Sequence, residues 1–211
     1  MRRIRFESAS VPKACILTEL DEFRESLFAL ELLGRNAGGQ PFQRWRRSVV
    51  RHRAVRDLVT MAQTIRPFPD MDNVVQRARP GTPAADRTHE PMLVRDLREF
   101  HRIAVAPYRI HLDRVLDADR AARRRIAVTQ GPEKLLSTLH SSIRWSAPVL
   151  EVCAQQGEDM TLDAGGLLLS PSIFLSPLAP RVLHRAAGPD TPTLFYPVPM
   201  EQSWRMPAYL Y

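Results

Sequence analysis

Three histidines and one tyrosine are the side chains in this sequence best suited to moving a proton or orienting a polar ligand. His101, Tyr108 and His111 lie in the stretch from Met92 to Arg125, and His140 follows in the next predicted element. Imidazole titrates near neutral pH, and a phenol can donate or accept a hydrogen bond. Seven residues are two helical turns, so His101 and Tyr108 share one helical face. The simpler interpretation is that Tyr108 is a core aromatic and His101 a satisfied buried imidazole.

Aromatic residues of the C-terminal third could form the apolar wall of a ligand pocket between helices and strands. Such pockets combine an apolar lining with a few polar groups that fix the ligand's orientation. The alternative is that these aromatic side chains are simply part of the core. The ligand-binding residues predicted from type and position are His101, Tyr108, His140, Trp145 and Phe174.

The sequence contains no complete motif for metal, nucleotide or nucleophilic chemistry. It has no His-x-x-x-His pair, and a spacing of seven is not a chelate spacing. Ser172 lacks the glycines that a nucleophile elbow requires, and Gly165-Gly166 precedes a predicted strand, whereas a phosphate-binding loop leads into a helix. We therefore predict no catalytic residue, no metal site and no cofactor.

Arginine carries almost all of the formal net charge of +7, since Lys13 and Lys134 are the only lysines. The densest basic segment begins at Phe42, and guanidinium groups there could contact nucleic-acid phosphates. We favour a solvated face with salt bridges to the acidic residues of the preceding helix, because Trp45 fits the apolar stripe and not an exposed stacking platform. The weaker nucleic-acid interpretation rests on Arg44, Arg46, Arg47 and Arg51.

The hydrophobic pattern predicts an α+β fold in which a helical N-terminal two-thirds packs on a small mixed or antiparallel sheet. The helical part spans residues 18–140, with a capping box at Thr18 and an end of the first helix at Gly34 or at the latest at Gly38-Gly39. Pro107 should break the helical stretch into segments 92–105 and 107–127. The sheet takes in residues 143–198 and an N-terminal strand, 2–6. Residues 77–91 are a surface loop within one domain, 1–211.

Cysteine usage and hydropathy favour a cytoplasmic protein without a membrane span. Cys15 and Cys153 are far apart and outside any metal-binding spacing, which predicts reduced, partly buried thiols. No apolar run is long enough for a signal peptide or for a bilayer-spanning helix.

The ordered segments FHRIAVAPY, TQGPEKLLSTLHSSIRW, PVLEV, GGLLLSPSIF and LFYPV resemble the domain that precedes the winged helix in ArsR-type transcriptional regulators. The segments RIRF, EFRESLFALELLGR and FQRWRR fit the same family, so the resemblance extends from Arg3 to about Val198. It implies a domain that senses a ligand or forms a dimer.

The sequence departs from that family after the LFYPV segment, where a winged helix would follow. Only MEQSWRMPAYLY remains, which is too short for a helix-turn-helix. We therefore expect a regulator-like binding module without its own DNA-reading head, homodimeric, that recognises a small molecule or a protein partner. The alternative is a cofactor-independent enzyme that cyclises or rearranges a natural-product intermediate.

Overall fold

The computed structural model describes residues 1–7, 13–64, 92–153, 158–162, 166–175, 179–183, 191–199 and 205–207. It confirms the predicted α+β class. The chain divides into two compact units: residues 1–20 with 113–199 form unit 1, and residues 21–112 with 200–211 form unit 2. The prediction of a single domain stays a prediction, and the predicted surface loop 77–91 lies outside the described residues.

Unit 2 is built from helices, and the most buried of them is the first. Helix α1 (Glu22–Gly34) packs against α3 (Arg53–Thr64) and α4 (Met92–Ala104), and each of its residues from Phe23 to Gly34 is buried. Helix α2 (Gly39–Val49) follows α1 in the chain. Its buried face consists of Phe42, Trp45 and Val49, and it includes Trp45 as predicted. The Trp45 indole donates a 2.8 Å hydrogen bond from Nε1 to the Ala104 carbonyl, which ties α2 to the end of α4.

The predicted N-terminal cap of the first helix was wrong by one turn. The cap is Asp21, whose carboxylate accepts a hydrogen bond from the Arg24 backbone N–H at 3.2 Å, whereas the sequence predicted Thr18. Both residues have cap chemistry, and Asp21 stands immediately before the apolar run that must be buried. The predicted end at Gly34 is confirmed.

The break predicted at Pro107 is also confirmed. Helix α4 ends at Ala104, a single 3-10 turn covers Ala106–Tyr108, and α5 runs from Arg109–Gln130. Proline lacks an N–H donor, so the α-helical hydrogen-bond ladder cannot continue through it. The boundary between the two units falls inside α5, after Leu112.

Unit 1 contains two four-stranded sheets where the sequence predicted one. The first has the order β3-β4-β1-β5 and the second β2-β6-β8-β7. Their strands are β1 (Arg2–Phe6), β2 (Ala14–Ile16), β3 (Ile143–Ser146), β4 (Val149–Val152), β5 (Met160–Leu162), β6 (Leu167–Ser172), β7 (Arg181–Leu183) and β8 (Thr193–Pro197).

Both sheets are mixed, as predicted. Strand β1 pairs antiparallel with β4 and parallel with β5, while β6 pairs parallel with both β2 and β8. Gly166 permits the close approach of β2 and β6, because its φ is +79° and an added Cβ would lie 2.6 Å from the Lys13 carbonyl oxygen. Leucines of helix α6 (Pro132–Ser137) join the core that both sheets share, which comprises Ile4, Phe6, Leu135, Leu136, Leu139, Ile143, Leu150, Val152, Leu162, Leu167, Leu169, Val182, Leu194 and Tyr196.

The two cysteines differ from the prediction in exposure. Cys15 and Cys153 are both unpaired, and both are exposed where partly buried thiols were expected. Cys15 is the exposed central residue of the short strand β2, and its two neighbours are half-buried. Because this strand was not predicted, the alternation of exposure along it was not considered.

Candidate functional site

An open cleft of about 800 Å³ lies in unit 1, beside the turn that joins α6 to β3. Such a volume falls within the range of small-molecule sites in proteins. The lining combines consecutive residues of that turn, most of them polar, with Ala179 before β7 and residues 197–199 at and after the end of β8. The described residues that line the cleft are Ser137, Thr138, Leu139, His140, Ser141, Ser142, Ile143, Ala179, Pro197, Val198 and Pro199.

The turn presents its polar residues because apolar neighbours anchor it on both sides. Leu136, Leu139 and Ile143 are buried in the core, while Ser137 and Ser141 between them are exposed. A 2.9 Å hydrogen bond from the Ile143 N–H to the His140 carbonyl closes the turn. The alternation of leucine with hydroxyl residues in KLLSTLHSSI therefore places the hydroxyl groups along the cleft.

His140 has a defined tautomer at neutral pH. Its Nδ1 accepts a 3.1 Å hydrogen bond from the Ser142 backbone N–H, so the neutral ring carries its proton on Nε2. Burial lowers the pKa of His140 below its usual value, which keeps the ring neutral. Among the described lining residues, His140 is the one with an ionisable side chain, and the other polar side chains are serine and threonine hydroxyl groups. It can therefore donate a hydrogen bond to a ligand without placing a charge in the cleft.

A buried polar network stands behind the cleft. The Tyr196 hydroxyl donates to Asp119 Oδ2 at 2.8 Å, and Arg123 Nε donates to Asp119 Oδ1 at 3.3 Å. Arg123 Nη1 also donates to the Thr138 carbonyl at 2.6 Å, and its guanidinium carbon lies 5.6 Å from the centre of the Tyr196 ring. Thr138 lines the cleft and Tyr196 precedes the lining residue Pro197, so this network fixes the backbone on both of its sides.

Tyr196 acts in this network as a neutral donor. Burial raises the pKa of Tyr196 far above its usual range, and the charge and hydrogen bond of Asp119 raise it further. The phenol therefore keeps its proton at any physiological pH, which suits a structural hydrogen bond and excludes a role for Tyr196 as a general base.

Arg120, beside this network, is buried with part of its guanidinium unsatisfied. Its side chain is 4% exposed, and Nη1 donates to Asp117 Oδ1 at 2.9 Å. Nε and Nη2, which form one edge of the guanidinium, are buried and have no hydrogen-bond partner in the described structure. A buried donor without a partner is destabilising, and a charged one more so.

Of the five predicted ligand-binding residues, His140 alone is among the described lining residues of the cleft. Trp145 lies on β3, half-buried, and its ring meets Phe6 edge-to-face with 5.4 Å between ring centres. Phe174 follows β6 and is fully buried. His101 and Tyr108 belong to unit 2, where Tyr108 is buried.

His101 is saturated by contacts within unit 2. Its Nε2 lies 3.2 Å from Glu22 Oε2, its Nδ1 lies 3.1 Å from Ser26 Oγ, and its ring lies 4.6 Å from that of Phe23. The Ser26 hydroxyl also donates a 2.7 Å hydrogen bond to the Glu22 backbone carbonyl. This geometry matches the simpler interpretation, in which the hydrogen bonds of the His101 imidazole are satisfied within the fold. The same contacts join α1 to α4.

The carboxylate of Glu22 predicts a loss of stability in acid. Hydrogen bonding to His101 lowers the pKa of Glu22 below its usual 4.5, burial opposes this shift, and the charge of Arg109 adds to it. Its contribution is present above pH 4.5 and is lost as the pH falls through the lowered pKa. We expect Glu22→Gln to lower the free energy of unfolding at pH 7 by about 1–3 kcal/mol, with a smaller difference from wild type in acid.

Urea unfolding of both proteins from pH 7 to pH 3 measures this effect. Glu99→Gln is the matched control, because hydrogen bonding to Arg102 also lowers the pKa of Glu99 but the pair is exposed. The control should change stability less. A pH profile identical in Glu22→Gln and wild type would contradict the assignment.

The arginines of the basic segment divide into two groups. Arg46 turns back to the end of α1, donating to Asn36 Oδ1 at 2.8 Å and to the Ala37 carbonyl at 2.9 Å. Arg44, Arg47 and Arg51 are exposed and make no ion pair in the part of the chain that the structure describes. The salt bridges predicted for them with the preceding helix are therefore absent from that part of the chain.

Sequence reasoning missed the buried network. The spacing of Asp119 and Arg123, four residues apart on a helix, was the available signal. It went unnoticed because charged residues fill DRVLDADRAARRR and indicate a solvated face. Among the described residues, no group of three or more potential ligand side chains could hold a metal ion. No helix in the described ranges is both long and apolar enough to cross a bilayer.

No protein-family model, curated protein or solved structure gives a significant match to this chain. The resemblance to ArsR-type regulators therefore stays a prediction.

Proposed function

We propose that this protein is a regulator-like binding module that recognises a small polar molecule in the cleft of unit 1. The observation that carries the proposal is a cleft of about 800 Å³ with the neutral imidazole of His140 among its lining residues. The proposed module is cytoplasmic and homodimeric, and its unpaired cysteines suit a reducing compartment.

The lining favours an uncharged or weakly acidic ligand with a hydrogen-bond acceptor such as a carbonyl group. His140 offers Nε2–H, and hydroxyl groups of Ser137 and Ser141 can donate or accept. Val198 and the flanking prolines supply apolar contact. Binding is favoured over catalysis because the described lining provides one imidazole and no second acid or base to work with it.

The buried network offers a physical route from the cleft to the long helix. A ligand that orders the 138–142 turn also orders the Thr138 carbonyl, which Arg123 binds at 2.6 Å. Arg123 and Asp119 lie on α5, so ligand binding would stabilise that helix. Such coupling is what a sensor module needs, since a ligand shifts an equilibrium only by its differential affinity for the two states.

His140→Asn tests the proposed site with little disturbance to the turn. Asparagine Oδ1 can replace Nδ1 as the acceptor for the Ser142 N–H, while the Nε2–H donor is removed. We expect this variant to bind any ligand found by screening about 5- to 100-fold more weakly, equivalent to about 1–3 kcal/mol for an unsatisfied buried partner. Isothermal titration calorimetry gives the Kd of both proteins.

His52→Asn provides the matched control, because His52 is exposed and belongs to unit 2. It should leave Kd unchanged. An equal Kd for His140→Asn and wild type would place the ligand elsewhere and refute the cleft as the binding site.

A further inference from the structure

Three exposed arginines follow one another along α2 and the turn after it. Arg44 and Arg47 lie on the helix, and Arg51 lies in the turn, where its N–H donates to the Ser48 carbonyl at 3.3 Å. Arg44 and Arg47, three residues apart, are neighbours on one face of α2, and Arg51 follows just after the helix. We call these three residues the basic stripe.

Arg205 lies beside the start of α2. Its Nη2 donates to Gln40 Oε1 at 3.3 Å, and Gln40 is four residues before Arg44. The neighbouring Met206 N–H donates to the Pro41 carbonyl at 2.8 Å, which fixes this segment against the helix. The stripe itself runs from Arg44 to Arg51 and extends about 10 Å, at about 1.5 Å per residue.

The three arginines of the basic stripe have no acidic partner within the described ranges. Helix α2 contains no acidic residue, and Arg44, Arg47 and Arg51 form no ion pair within the described ranges. Other arginines of the segment have structural partners: Arg56 donates to the Val50 carbonyl at 3.0 Å, and Arg53 lies 3.8 Å from Asp57. Within the described ranges, the three guanidinium groups of the basic stripe make no contact of this kind.

The residues around the stripe indicate which kind of polyanion it can bind. Phe42 and Trp45 are buried at 1% and 0% exposure, so α2 offers no aromatic platform on which unpaired bases could stack. Its apolar face is buried as well, so it has nothing to insert into a lipid interface. The major groove of B-form DNA is about 12 Å wide, so a helix with exposed arginines can lie along it and reach the phosphates at its edges. The major groove of A-form RNA is too narrow for this.

We propose that the basic stripe binds the phosphate backbone of double-stranded DNA. Guanidinium groups pair with phosphate oxygens through two parallel N–H donors, and this binding releases counterions. The contact is sequence-independent and separate from the cleft of unit 1, so it stands whether or not the cleft binds a ligand.

Fluorescence anisotropy of the 211-residue protein with a labelled 20-base-pair duplex of mixed sequence tests this proposal. Three phosphate contacts predict a slope of log K against log salt near −2.7, at about −0.9 for each phosphate. The triple variant Arg44→Gln, Arg47→Gln, Arg51→Gln should bind at least tenfold more weakly. Glutamine is well tolerated on exposed helical positions, so the variant should fold.

A second triple variant of equal charge is the control. Arg114→Gln, Arg124→Gln, Arg125→Gln removes three exposed arginines from α5 in unit 1 and should retain binding within about twofold of wild type. Equal losses in the two triples would mean that net charge alone drives binding, which overturns the proposal. Tighter binding to single-stranded DNA, duplex RNA or anionic vesicles than to duplex DNA overturns it too.

Discussion

Replacing Asp119 with alanine should lower the free energy of unfolding by about 3–5 kcal/mol, the largest loss we expect from a single substitution in this protein. Asp119 is 9% exposed and accepts hydrogen bonds from Tyr196 and Arg123. Its removal leaves a buried guanidinium without its counter-charge and a buried hydroxyl without its acceptor. Urea unfolding followed by far-UV circular dichroism measures the change.

Two further variants separate the parts of this loss. Tyr196→Phe removes one hydroxyl and should lower the free energy of unfolding by about 0.5–1.5 kcal/mol, because Asp119 still accepts the hydrogen bond from Arg123. Asp57→Ala removes an acid that is 73% exposed and faces an arginine that is itself 88% exposed, so it should have a smaller effect still. A loss for Asp119→Ala no greater than that for Asp57→Ala would contradict the assigned network.

Arg120→Met should act in the opposite direction and raise the free energy of unfolding by about 1–4 kcal/mol. The Arg120 guanidinium is buried, and neither Nε nor Nη2 has a partner in the described structure. Methionine has a similar helix propensity and a flexible apolar side chain that fills irregular space. Removing the charge therefore eliminates a desolvation penalty and retains the packing.

Arg124→Met removes the same charge from an exposed position one turn later on α5 and should leave stability within about 0.5 kcal/mol of wild type. Differential scanning calorimetry of the three proteins gives the comparison. A drop in stability for Arg120→Met would show that the guanidinium edge has a stabilising partner.

The sequence predicted the elements with strong local signals. The helix end at Gly34 and the break at Pro107 were both predicted correctly, and at Pro107 the missing N–H is the physical reason. The short strands β2 and β7 were missed, because three residues carry no recognisable alternation and, for β2, the pairing partner β6 is remote in sequence. The second sheet could not be predicted for the same reason.

Among the predicted ligand-binding residues, polar chemistry and access to the cleft coincide at His140, whose role as a ligand-binding residue stays a prediction. His140 lies in a polar turn and lines the cleft, whereas His101 is saturated by Glu22 and Ser26, contacts that depend on how α1 packs against α4. The buried ionic network was missed because Asp119 and Arg123 are surrounded in sequence by exposed charges. Sequence spacing places both on one face but does not tell which face is covered.

Thermal unfolding of the purified protein against a panel of polar metabolites, with each hit followed by mass spectrometry, tests ligand recognition by the cleft. A ligand that binds the folded state raises Tm by mass action. The proposal predicts at least one compound that raises the Tm of wild type, raises that of His140→Asn less, and stays chemically intact. A stabilising compound that is consumed would identify an enzyme, and equal stabilisation of both proteins would contradict the cleft as the site.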